Sequence, residues 1–250
     1  VNFSAGLELP LLCERTSYGA EVFNSISALS VSLVAIYALM AWRRLPSRDW
    51  PLFAVIVMAF LIGPMSAAFH WAPTLPGLLF DVIPIQVFVL SVFALVLLRI
   101  LQFDLLVTAL NLAGFVLVAQ MFKLMLPAGA LGGGAHYIAP LIALYILGGG
   151  LIVVARLGMH ADEAATGARA SRADAEHFPR LHAGFGLLQV GILLAVALVF
   201  RAMDMPLCEN WPRGMHFMWH IMVALAMGKL LMVCIAHAAA QARAAERARR

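Results

Sequence analysis

Charged side chains are scarce in this chain. Asp, Glu, Lys and Arg make up 12% of its 250 residues, where a soluble domain usually carries about a quarter. With 63% of residues hydrophobic and a mean hydropathy of +0.93, the expected class is a polytopic membrane protein. Acidic residues are fewer than basic ones, 13 against 17, which leaves a formal net charge of +4. That excess is concentrated at particular positions, so it speaks to membrane topology before nucleic acid. No phosphate-cradling glycine loop, RNA-binding signature or zinc-finger spacing occurs, so nucleic acid is not an expected partner, and nothing points to a protein partner. The N-terminus shows no basic region followed by an apolar run, so no cleavable signal peptide is expected.

What is abundant is apolar sequence in long runs. About 20 apolar residues cross a hydrocarbon core of about 30 Å, and seven such spans can be marked, at 21–42, 52–71, 79–101, 105–126, 137–156, 183–203 and 214–237. Trp42, Trp50, Trp71 and Trp211 fall near span ends, where amphipathic indoles prefer to sit. The expected fold is an all-α, seven-transmembrane helix bundle forming a single domain over 1–250, with no internal repeat. Arg43, Arg44, Arg48, Arg99, Arg156, Arg169, Arg172, Arg180, Arg243, Arg247, Arg249 and Arg250 then share one side, 12 of the 17 basic residues. That side should be cytoplasmic. The N-terminus is therefore outside, with 1–20 an extracytoplasmic segment, and the C-terminus is cytoplasmic. The connection 157–182 reads as a solvated, partly helical or mobile cytoplasmic loop. The basic tail 239–250 reads as a continuation of span seven near anionic headgroups.

Against this apolar background a few polar residues reach one depth. Span two runs outward and carries Ser66 and His70 in its outer half; span three starts outside with Asp81; span seven starts outside with His216 and His220. Residues four apart on a helix share a face. His216 and His220 can therefore aim two imidazoles at one centre, as paired histidines do in many zinc sites. His70 is the candidate third ligand, leaving a fourth position for water. Phe217, Met218 and Trp219 stand where a zincin carries its glutamate, so Asp81 is the candidate base, with Ser66 beside it. Each residue also has a plainer reading: a histidine hydrogen-bonded in packing, a serine bonded to a carbonyl one turn earlier, or ionisable groups of a proton-relay or ion-transport site. The other histidines fall elsewhere, with His160, His177, His182 and His237 on the cytoplasmic side and His136 in an outer loop.

The segments "LCERTSYGAEVFNSISALS", "SAAFHWAPTLPGLLFDVIPI" and "GMHFMWHIM" together resemble the three signature regions of alkaline ceramidases. These belong to the CREST superfamily of seven-span membrane hydrolases. The resemblance runs from Cys13 to about Ile221 and rests on a Ser four before a His, an Asp eleven after it, and a late H-x-x-x-H. It implies a zinc-dependent amide hydrolase that releases a fatty acid from a ceramide-like lipid. Its zinc ligands would be His70, His216 and His220, with Asp81 and Ser66 as catalytic residues. It also implies a calcium site in the N-terminal segment, mapping here onto the Leu12 carbonyl, Glu14, Thr16 and Glu21. Leu11 stands where an Asp is expected and Thr16 where an Asn is expected. Fewer anionic ligands weaken or abolish such a site, and Glu21 and Asn24 have the alternative of capping span one or hydrogen-bonding toward the metal region.

Cys13 and Cys208 both fall outside, in an oxidising compartment if the protein faces a bacterial periplasm. The family often joins such a pair, which would fasten the N-terminal segment to the loop before span seven; the alternative is two unpaired thiols. Cys234 reads as packing. Gly132–Gly134 read as a flexible outer loop, and Gly148–Gly150 as a place of close helix approach. The expected location is a bacterial inner membrane with the site toward the periplasm, or the ER/Golgi lumen in a eukaryote. Besides the membrane lipid itself, the competing function is a receptor-type lipid-binding protein with a structural zinc.

Overall fold

Three of the long helices begin where a short polar side chain replaces the hydrogen bonds that a first turn lacks. Asp49, Thr74 and Asp104 each accept the backbone N–H three residues on, at 3.0, 3.1 and 2.8 Å, and Pro51 and Pro76 occupy first-turn positions where a missing N–H costs nothing. In the computed structural model, which describes residues 9–127, 129–162 and 168–249, the chain is all-helical. The elements are α1 (Cys13–Tyr18), α2 (Val22–Ala28), α3 (Ser30–Trp42), α4 (Trp50–Trp71), α5 (Leu75–Leu95), α6 (Leu105–Met125), α7 (Ile138–Asp162), α8 (Ala168–Met203) and α9 (His216–Arg249).

Seven helical stretches are long and apolar enough to cross a membrane. The first is α2 and α3 in succession, joined at Leu29, and the third is α5 prolonged by one π-helical turn, Val96–Ile100. They agree with the spans expected from hydropathy to within a few residues at most ends. The helices outrun the apolar stretches around the longest connection, where α7 continues to Asp162 and α8 already begins at Ala168. Residues 163–167 of that connection lie outside the described residues.

The core lies among α3, α4, α5, α8 and α9, with Ala35, Ala59, Phe88, Leu187 and Leu231 buried along it. α6 packs mainly on α7 and the turns before it, and Thr108 is its one buried residue among those described. Small residues set the closest approaches. A β-carbon on Gly148 would stand 2.9 Å from the Gly184 carbonyl oxygen, and one on Gly184 would stand 2.8 Å from that of Gly148, so this pair carries the contact of α7 with α8. Gly149 and Gly150 face open space.

The crossing of α3 and α4 is bonded as well as packed. Pro64 has no N–H for the Phe60 carbonyl one turn back. Ser32 of α3 donates to that carbonyl instead, at 2.8 Å, and a β-carbon at Gly63 would collide with the same hydroxyl. The helix that carries Ser66 and His70 is thus irregular at a point where its neighbour satisfies the freed backbone group.

Candidate metal centre

Two helices deliver the three histidines to one point. His70 ends α4, and His216 and His220 open α9; all three are buried. The ring centroids lie 5.3 Å apart for His70–His216, 4.7 Å for His70–His220 and 4.7 Å for His216–His220. One ring nitrogen from each falls within 4.8 Å of the other two. A tetrahedral zinc with bonds of about 2.0–2.1 Å needs donors on the order of 3.3 Å apart, which small ring rotations provide.

The outer hydrogen bonds already fix two of the tautomers. His70 Nδ1 bonds to Glu21 Oε2 at 2.5 Å, and its Nε2 is buried with no partner. The Ser27 hydroxyl donates to the Asn24 carbonyl at 3.1 Å and so accepts from His220 Nδ1 at 2.9 Å. In both residues Nδ1–H is spent outward, and the Nε2 lone pair is left for a cation. His216 likewise holds a buried Nδ1 without a partner. Three converging buried imidazoles, two of them with Nδ1–H bonded outward, are a donor set that could hold a metal ion.

Around this point lies a cavity of about 60 Å³ whose wall includes all three histidines together with Ser66 and Asp81. Asp81 Oδ1 is buried and unpartnered, so its carboxylate is available to a proton inside the cavity. Ser66 is buried on α4, one turn before His70. The five residues picked from the sequence therefore border one space.

The calcium expectation fares differently. Glu14 uses both carboxylate oxygens to cap α2, accepting from Phe23 N at 2.7 Å and Asn24 N at 3.0 Å. Glu21 accepts from Arg15 on one oxygen and from His70 and Asn24 on the other. The Leu12 carbonyl accepts from Thr16, through its N–H at 3.0 Å and its hydroxyl at 2.9 Å. The Glu14 and Glu21 carboxylate oxygens and the Leu12 carbonyl thus each accept from a protein donor, and the Arg15 guanidinium places a positive charge beside Glu21. Glu21 thus orients His70, with Arg15 paired to its other oxygen.

Cys13 and Cys208 form a disulfide. Beside it stands Asp204, a buried carboxylate absent from the sequence reading. It accepts from Met215 N at 2.7 Å and His216 N at 2.9 Å on one oxygen, and from Cys13 N at 3.0 Å on the other. It thereby caps α9 at His216 itself and ties that turn to the N-terminal segment. Gly214, at φ +66°, permits this, since a β-carbon there would strike Asp204. The one trace in the sequence is an aspartate placed just beyond the apolar end of span six.

Two further cavity residues also escaped the sequence reading. His136 and Arg201 line the same wall as the three histidines. His136 stays outside the histidine cluster, and its Nε2 is buried without a partner. Compared with protein-family models, curated proteins and solved structures, the chain matches none.

Proposed function

We propose that this protein is a zinc-dependent hydrolase of lipid amides, ceramidase-like, working at the extracytoplasmic leaflet. The observation that carries the reading is the histidine cluster, with two tautomers preset by Glu21 and Ser27, opening on a cavity that holds an unpartnered carboxylate. A second cavity supports a lipid substrate. It is wholly apolar, about 100 Å³, lined by residues such as Phe88, Val92 and Leu194, and it shares Ile85, Tyr137, Val223 and Met227 with the wall of the first. An acyl chain laid there brings its amide carbonyl to the histidines.

His70, His216 and His220 would hold the zinc, which would supply Lewis acidity to the site. Asp81 is the base that would take a proton from the water attacking the amide carbon and return it to the leaving amine when the C–N bond breaks. Ser66 donates to the carbonyl oxygen as its charge develops. Asp204 and the disulfide hold the first turn of α9 in register throughout. Fatty acid and free amine leave, and atoms balance with one water consumed.

The test is metal analysis and fatty-acid release from ceramides in detergent, on the native protein and on His216→Ala and Asp81→Asn. The expected result is about one zinc per chain in the native protein and in Asp81→Asn, and loss of it in His216→Ala. Turnover should fall by at least about 10²-fold in both variants. Zinc content and turnover both unchanged in His216→Ala would exclude the proposal. Bound zinc with no cleavage of any lipid amide would favour a binding protein with a structural metal.

A further inference from the structure

The hydrolytic reading gives Arg201 no task, although it borders the cavity alongside the three histidines and Asp81. It stands in the last turn of α8, half-buried. Its Nε donates to the Gly132 carbonyl at 3.0 Å, and its guanidinium carbon lies 5.0 Å from the Trp219 ring centroid. The glycine loop closes directly over this side chain. A β-carbon on Gly134 would stand 3.1 Å from Arg201 Cδ, one on Gly132 would stand 2.5 Å from its carbonyl oxygen, and Gly132 and Gly133 hold φ of +60° and +79°. The three glycines that read as a flexible loop are the residues that let the chain wrap Arg201.

A guanidinium clamped in this way keeps two nitrogens in hand. Arg15 and Arg99 each pair with a carboxylate, Glu21 and Asp49. Among the described residues Arg201 has no such partner, and Asp81 across the cavity lies beyond ion-pair distance. A planar cation fixed against an aromatic face, in apolar surroundings and with paired N–H groups unspent, is complementary to an oxyanion. Its placement also has a direction. The apolar cavity leads from Ile85 through Phe88, Val92 and Val96 toward the other end of the bundle, whereas Arg201 lies at the end where the glycine loop and the disulfide lie. A lipid with its acyl chain in the apolar cavity and its amide at the histidines directs its head toward Arg201.

We propose that the substrate is a lipid amide bearing an anionic head group, a phosphate, sulfonate or carboxylate, and that Arg201 is the residue that selects it. This inference rests on reading the cavity as a lipid-amide site. A neutral hydroxyl head would leave the guanidinium charge uncompensated. An anionic head forms charge-assisted hydrogen bonds with both free nitrogens, which favours it by about tenfold or more.

The experiment uses the zinc-replete protein in maltoside micelles and two matched pairs of probes. Binding is measured by competition with 2-(hexadecyloxy)ethanesulfonate and 2-(hexadecyloxy)ethanol, which cannot be hydrolysed. Hydrolysis is measured on N-palmitoyltaurine and N-palmitoylethanolamine. The native protein should prefer the sulfonate member of each pair by about tenfold or more. Arg201→Gln should bring both ratios to near one with zinc content unchanged, and Arg201→Lys should retain part of the preference. Equal binding of the two ether probes by the native protein overturns the inference, and this readout stands even if Arg201→Gln does not fold. An undiminished sulfonate preference in Arg201→Gln overturns it too. The two proposals fail separately. Arg201-dependent sulfonate binding without cleavage of either amide sinks the hydrolase alone, and cleavage of both amides at equal rates, with equal ether binding, sinks the inference alone.

Discussion

At the scale of single residues, a metal ligand is only as good as what holds it. An imidazole left to rotate offers either nitrogen in many directions, and His70 is spared this by Glu21, as His220 is by Ser27. Replacing Glu21 with Gln removes the charge that favours Nδ1–H on His70 while keeping the side chain's shape. Zinc affinity should fall by about 10- to 100-fold, read by competition with a chromophoric chelator. Ser27→Ala should show a smaller loss by the same measurement. An unchanged affinity in Glu21→Gln would mean that the carboxylate serves only Arg15 and Asn24. The histidines themselves were legible in the sequence, because an ionisable group at membrane depth is rare and a four-residue spacing states which face it shares. From the sequence Glu21 reads as a calcium ligand, with a hydrogen bond toward the metal region as its alternative, and the fold shows the bond to His70. Asp204 was not legible: its partners are backbone N–H groups brought together only by the folded chain, and an acceptor for backbone donors leaves no periodic trace. Arg201 was hidden for a related reason, since basic residues near span ends are ordinarily read as topology.

Among the elements, the bilayer makes prediction easy in one respect and uninformative in another. Backbone groups in hydrocarbon must bond internally, so a run of about 20 apolar residues is a helix almost without alternative. That is why the seven spans were readable to within a few residues at most ends. Beyond the hydrocarbon the constraint lapses. The far ends of α7 and α8 therefore extend past the apolar stretches, through polar sequence that hydropathy assigned to a loop. How helices meet is also invisible to hydropathy. Gly63 and Pro64 indicated an irregular point in span two, but not that Ser32 of α3 supplies the hydrogen bond Pro64 cannot. Ser32→Ala leaves the Phe60 carbonyl without that donor, at a cost of about 1–3 kcal/mol. The expected result is a lower thermal midpoint in detergent, with the zinc stoichiometry of the folded protein intact. Ser32→Thr keeps the hydroxyl and should recover part of the loss, provided that its extra methyl fits against Gly63. A Ser32→Ala variant as stable as the native protein would show that Phe60 finds another partner.

For the molecule as a whole, the two ends of the bundle differ in kind. One end gathers the α3–α4 turn, the end of the third span and the far part of α9. Arg99 pairs there with Asp49 and accepts from His237 and Gln241 at its carbonyl, at 3.1 and 3.4 Å. Arg43, Arg44 and Arg48 belong to the same end. The other end holds the disulfide, the Asp204 cap and the cavity. Basic residues favour the cytoplasm and disulfides favour the oxidising side, and these independent rules assign the two ends in the same sense. A membrane-impermeant maleimide should therefore leave Ser47→Cys unlabelled in intact cells and label it after permeabilisation. Pro127→Cys, at the end of α6 nearer the cavity, should label in both conditions. Both positions are exposed, and the native cysteines do not interfere, because Cys234 is buried and the other two are bonded to each other. The reverse pattern would turn the histidine site toward the cytoplasm. It would also place the disulfide in a reducing compartment where it should not persist, so a single labelling experiment bears on the orientation, the bridge and the leaflet from which a lipid can enter.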